Sequence, residues 1–238
     1  MSDLGTMLWK EVTELFSNRR SLSVFVIAVL FMGVLPALTF SLHHGALLNS
    51  PLGAMIRLIY VLFATTIVVS QTAADMILHE RVGHTLEYLL TTRVPEQAIF
   101  GAKVLLSFAI GYAAALAAMA IQLITTAIAG GAGFQWLFLG PGAGQVAAFG
   151  ATACLSLYAA VIGTFVALRV GDQRAAYMVT VFAVAILAIP FLVGWVHFTL
   201  TVTWMSWATA AFGALAVLLA LIGMFAFRRD MLVLYLQE

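Results

Sequence analysis

Glu80, His84, Glu87 and Thr91 recur at spacings of four, three and four, so on a helix they fall on one face. Val82, Leu86, Leu89 and Leu90 form an apolar stripe on the same run, which Pro95 closes. Carboxylates and an imidazole in one stripe can make ion pairs and hydrogen bonds with a docking surface, while the apolar stripe rests on lipid or on another helix. Periodicity alone does not separate such a docking helix, over 78–95, from a plain surface helix that links two spans. The stripe is not a catalytic set. The chain holds no Ser/His/Asp order, no paired carboxylates and no helix-borne metal motif. The single cysteine, Cys154, excludes an internal disulfide and any cysteine-based metal or redox motif. His43, His44 and His197 have no carboxylate or cysteine beside them and read as interfacial side chains rather than ligands. No catalytic residue and no metal site is expected.

The elements that must position the stripe are membrane helices. Of 238 residues, 63% are hydrophobic and 9% charged, where soluble domains carry about 25% charged residues. Six apolar stretches, near 22–42, 54–76, 102–129, 144–168, 175–195 and 204–227, are each about as long as a bilayer crossing requires. Before them, in an interfacial segment 1–20, Leu4, Met7, Leu8, Val12 and Leu15 recur at spacings of three and four, with Lys10, Glu11 and Glu14 largely on the other side. That pattern predicts an amphipathic helix lying on the membrane surface, with Trp9 at headgroup level. The charges in this segment also argue against a cleavable signal peptide. The expected fold is all-α: a polytopic membrane protein with six transmembrane helices, an N-terminal amphipathic interface helix and a cytoplasmic coupling helix.

Charge sets the orientation. Lys10, Arg19, Arg20, Arg81, Arg93, Lys103, Arg169, Arg174, Arg228 and Arg229 all fall on one side of a six-span arrangement, ten of the eleven basic residues. The rule that positive charge stays inside puts that side, and both termini, in the cytoplasm. Trp136, Trp195, Trp204 and Trp207 fall at the opposite boundary, where an aromatic belt belongs. A net charge of +1 says little about partners, and no nucleic-acid partner is expected.

The eleventh basic residue is Arg57, at the outer end of the second span. It reads either as a side chain reaching the headgroups or as the mouth of a translocation path. Thr65, Thr66, Ser70, Gln71 and Thr72 make this span the most polar, so it should face protein or a cavity. Arg57, Thr65, Thr66, Ser70 and Gln71 are the path candidates. Asp75, near the inner end, should pair with a basic residue or hold the start of the next segment. Small residues from Gly111 to Ala118, and Gly150, Ala159 and Gly163, mark packing surfaces. Pro36 and Pro190 fall inside spans, which requires neighbouring helices to satisfy the freed backbone groups.

Glu80-Arg81, Thr85-Leu86-Glu87 and Leu89-Leu90-Thr91 together resemble the cytoplasmic-loop signature of ABC-2 type permeases, the six-helix membrane subunits of ABC exporters. Trp9-Lys10-Glu11 with Arg19-Arg20-Ser21-Leu22, and the ending Phe227-Arg228-Arg229-Asp230, are similar to the ends of that family. The chain departs from it at His84, where glycine is frequent, and at Arg93, where proline is. The resemblance implies that 78–95 is a coupling helix seated in a separate ATPase subunit, with Glu80, Arg81, Thr85, Leu86 and Glu87 as contact or positioning residues. It also implies two copies of the chain with two ATPases, ATP and magnesium being bound by those partners. This chain has no phosphate-binding G-x-x-x-x-G-K-[ST] loop. The expected function is export of a lipid-like or amphipathic substrate across a prokaryotic plasma (inner) membrane. The competing reading is a stand-alone secondary transporter, channel or lipid-modifying enzyme; no internal repeat favours the first of these.

Overall fold

The chain folds, in the computed structural model, into seven helices among the residues it describes: 3–17, 19–42, 51–82, 95–128, 143–170, 172–197 and 202–226. They are α1 (Asp3–Ser17), α2 (Arg19–Leu42), α3 (Pro51–Val82), α4 (Glu96–Ile128), α5 (Ala143–Arg169), α6 (Gln173–His197) and α7 (Val202–Ala226). Three contain stretches long and apolar enough to cross a membrane, by length and composition: Ile56–Leu78, Gln97–Ile128 and Ala148–Arg169. Shorter apolar stretches occupy Leu22–Leu38, Gln173–Ile186 and Thr209–Gly223.

Local chemistry sets several helix ends. The Pro95 carbonyl accepts the first amides of α4, from Ala98 at 2.9 Å and Ile99 at 3.4 Å. Asp172 caps α6, its carboxylate accepting from the amides of Arg174 and Ala175 at 3.3 and 3.2 Å. Two boundaries differ from the sequence reading. The span expected near 54–76 belongs to a helix that runs on to Val82, no glycine or proline interrupting Ala74–Val82. The helix expected from 102 begins at Glu96, directly after Pro95. Leu78 to Val82 therefore continue α3, and residues 83–94, with Thr85, Leu86 and Glu87, lie outside the described residues.

α3 and α5 form the middle of the bundle. α3 packs against α2, α4, α5 and α6, and α5 against α3, α4, α6 and α7. Leu58, Val61 and Leu62 of α3 meet Ala115, Ala118 and Met119 of α4 and Ala148 of α5. Further along, Val69, Phe100, Val104, Tyr158, Val184 and Ala216 bring five helices together. The small residues act as read from sequence. A methyl group added at Gly111 would overlap Val69 of α3, and one at Gly163 would lie 2.8 Å from Ala73 Cβ. Glycine at these two places lets α4 and α5 approach α3 closely. Many large apolar side chains are exposed, among them Ile27 and Phe31 on α2, Phe182 and Ile186 on α6, and Leu218 and Ile222 on α7. Such a surface is compatible with an integral membrane protein.

Pro36 lies within α2 and donates no amide hydrogen bond, which frees the carbonyl of Met32 one turn earlier. Gln122 of α4 supplies the missing donor, its Nε2 lying 3.1 Å from that carbonyl and 3.2 Å from the carbonyl of Arg57. The neighbour-satisfied proline expected from the sequence is thus present.

Candidate functional site

The charged residues of α1, α3 and α4 meet at the carboxyl-terminal end of α3. Lys103 enters from α4, about two turns past Pro95, and is 3% exposed. Its ammonium donates to Glu11 Oε1 of α1 at 2.9 Å and lies 2.7 Å from Glu80 Oε2 of α3. It also reaches the Met76 carbonyl at 3.4 Å. Lys10 donates to the other oxygen of Glu80 at 2.8 Å and lies 3.5 Å from Glu14. Met7 of α1 packs against Ile99 and Ala102 of α4 beside this cluster.

On the polar side of α1 that the sequence predicts, Glu11 is 4% exposed and turned inward, while Trp9 is 70% exposed. The cause is Lys103. An ammonium inside an apolar helix needs anionic partners, and α1 and α3 each bring one. Glu80, read from its stripe as facing a docking partner, has its carboxylate turned into the protein at 2% exposure.

Burial pushes the Glu11 carboxyl above its ordinary value, and the nearby Glu80 charge adds to this against the pull of Lys103. For Glu80 the same burial is outweighed by Lys103 and Lys10, which hold its carboxyl below the ordinary range. Burial works against the Lys10 charge, but Glu80 and the other carboxylates outweigh it and raise its pKa. Carboxylate oxygens of Glu11, Glu14 and Glu80 lie within 4.8 Å of one another. Two ammoniums already sit among them, so the arrangement is an ionic clasp rather than an open cation cradle. It offers no nucleophile and no base poised beside one.

Asp75, one turn and a half before Glu80, accepts from Gln71 at 3.0 Å and from Gln173 at the start of α6. It thereby ties α3 to the start of α6. Arg57 is fully buried rather than extended to the surface. Thr65 and Thr66 are buried and donate to carbonyls one turn back in α3, at 2.8 and 2.9 Å. Ser70 is buried and Gln71 half-buried. The polar residues of α3 thus face protein, one of the two alternatives the sequence left. Arg81 belongs to α3, its side chain being outside the described residues, as are Thr85, Leu86 and Glu87. The sequence reading used Lys103 to orient the chain and set Lys10 and Glu11 on the polar side of an amphipathic helix, without pairing them with Lys103 or Glu80. The available signal was a lone lysine inside the apolar run of α4, which demanded a partner.

Among known proteins, no family model and no curated protein matches the chain.

Proposed function

We propose that the chain is the membrane subunit of an ATP-driven exporter of the ABC-2 type, working as a homodimer with two copies of a separate ATPase. Six of the seven described helices, α2 to α7, span the prokaryotic plasma membrane with both termini in the cytoplasm, and α1 lies at the inner boundary. The segment after α3 is the coupling helix, with Arg81, Thr85, Leu86 and Glu87 at the ATPase and Glu80 as its anchor. The observation that carries this reading is the ionic clasp at the end of α3, which holds the root of that segment against two other helices. A loop that only linked two spans would not call for three ion-paired helices at its root. The segregated basic residues and the loop motif support the same reading. ATP and magnesium belong to the partner, because this chain lacks a phosphate-binding loop. Arg57, Thr65, Thr66, Ser70 and Gln71 lie on or beside the path, which opens by movement of α3 between states. The very apolar body suits a lipid-like or amphipathic cargo.

The test is purification of the tagged full chain from its own host. An ATPase should accompany it, and the complex should hydrolyse ATP in a vanadate-sensitive manner. Glu87→Arg should release the ATPase while leaving the helices folded. Transport by the chain alone in liposomes, or assembly unchanged by Glu87→Arg, would overturn the reading.

A further inference from the structure

Lys103 contributes nothing to the loop motif, yet it makes the contacts that hold three helices together. Its ammonium is the common partner of Glu11 on α1 and Glu80 on α3, and it is itself fixed on α4. Lys10 closes the ring from α1 to the second oxygen of Glu80. Each of the three helices is therefore tied to the other two through ion pairs and charged hydrogen bonds, those of Lys103 shielded from water, where such contacts are strong, and that of Lys10 partly exposed. Apolar contact runs beside them, from Met7 to Ile99 and Ala102.

We infer that Lys103 is a positioning residue: through Glu80 and Glu11 it makes α1, α4 and the carboxyl-terminal end of α3 one rigid body, so that a push on the segment after α3 moves three helices together. The inference deepens the permease reading and takes its functional meaning from it. Without the clasp, the end of α3 would bend under load and the motion would stop at Val82. With it, α4 carries the displacement through its whole length, and α1 moves as a strap on the same body rather than floating on lipid.

The test measures whether α1 and α4 move as one. Spin labels are placed at Thr13→Cys on α1 and Gln97→Cys on α4, both exposed and outside the clasp, in a chain carrying Cys154→Ser. Labelled chain is diluted with unlabelled chain so that only distances within one chain are read. The full complex is compared without nucleotide and after trapping with ATP and vanadate. The wild-type distance distribution should be narrow and the same in both states. Glu11→Met fills the space of the glutamate without its charge and leaves the Lys103–Glu80 pair in place; it should broaden the distribution. Lys103→Met should broaden it further. Should Lys103→Met fail to accumulate, Glu11→Met decides alone. A wild-type distance that shifts on trapping, or a Glu11→Met distribution as narrow as wild type, overturns the inference. If no ATPase accompanies the wild-type chain, the permease reading falls, and the nucleotide-free comparison of wild type with Glu11→Met still decides whether the clasp holds the helices.

Discussion

The Lys103 ammonium lies 2.7 Å from Glu80 Oε2, and both side chains are shielded from water. Removing one partner from a buried pair leaves an uncompensated charge, which costs about 3–5 kcal/mol. Lys103→Met should do this at Glu11, whose cation it removes, and leave Glu80 with Lys10 alone, so its thermal unfolding midpoint in detergent should fall sharply. Glu14 is the contrast. Its side chain is 45% exposed and its contact with Lys10 is 3.5 Å long. Glu14→Gln should change stability by less than about 1 kcal/mol. Tryptophan fluorescence during heating reads both variants, and equal losses would refute the ranking.

Acid should act on the clasp in two stages of opposite sign. The folded pKa of Glu11 is raised above its ordinary 4.5 by burial, against Lys103, so the folded chain takes up this proton first as pH falls. Stability is then level or slightly higher on approaching pH 4.5 from neutrality. Glu80 shifts downward, Lys103 and Lys10 outweighing its burial, so its contribution is whole above 4.5 and is lost as pH falls through the lower folded value. Lys10 shifts upward from 10.5, Glu80 outweighing burial, so its contribution is whole below 10.5 and is lost as pH rises through the higher folded value. Melting midpoints across pH should show a plateau that drops below 4.5 and above 10.5. Glu11→Gln should remove any rise on the acid side and keep the later fall.

Gly111 tests the packing of α4 on α3. A Cβ there would overlap Val69 and lie 2.9 Å from Ser156 Oγ. Gly111→Ala should destabilise the bundle by about 1–3 kcal/mol, the usual cost of overpacking. Val69→Ala makes room on the α3 side, so the double variant should recover most of that loss. Additive losses in the double variant would mean that the two residues do not share the space, and unfolding midpoints of the four chains decide it.

Which parts of this arrangement a reader of the sequence could see follows from the range of the forces involved. Helix positions are set by local runs of apolar residues, and three of the described helices carry stretches long and apolar enough to cross a membrane. Ends were less legible. The continuation of α3 to Val82 follows from the absence of glycine or proline in Ala74–Val82, whereas the sequence reading ended the span at the last strongly apolar stretch. The partners of Lys103 were not legible at all, because Glu11 and Glu80 come from distant parts of the chain and only the packing of three helices brings them together. For the same reason the inward turn of Glu11 on α1 was not legible. An amphipathic pattern shows that a helix has a polar side; it does not show whether water or a buried lysine faces that side.

Gln122 offers a test that involves no charge. Its side chain is fully buried, and its amide donates both to the Met32 carbonyl that Pro36 leaves free and to the Arg57 carbonyl. Gln122→Leu keeps the volume and removes both donors. Hydrogen bonds between membrane helices average about 0.6 kcal/mol each and reach ~1.7, so the two together should cost about 1–3 kcal/mol. The loss should vanish when the reason for the bond is removed. In a Pro36→Ala background α2 regains its own amide for the Met32 carbonyl, so only the Arg57 bond remains to be lost, and Gln122→Leu should then cost about half as much. If Gln122→Leu costs the same with and without the proline, Gln122 serves general packing, and the pairing of Pro36 with Gln122 has no energetic meaning.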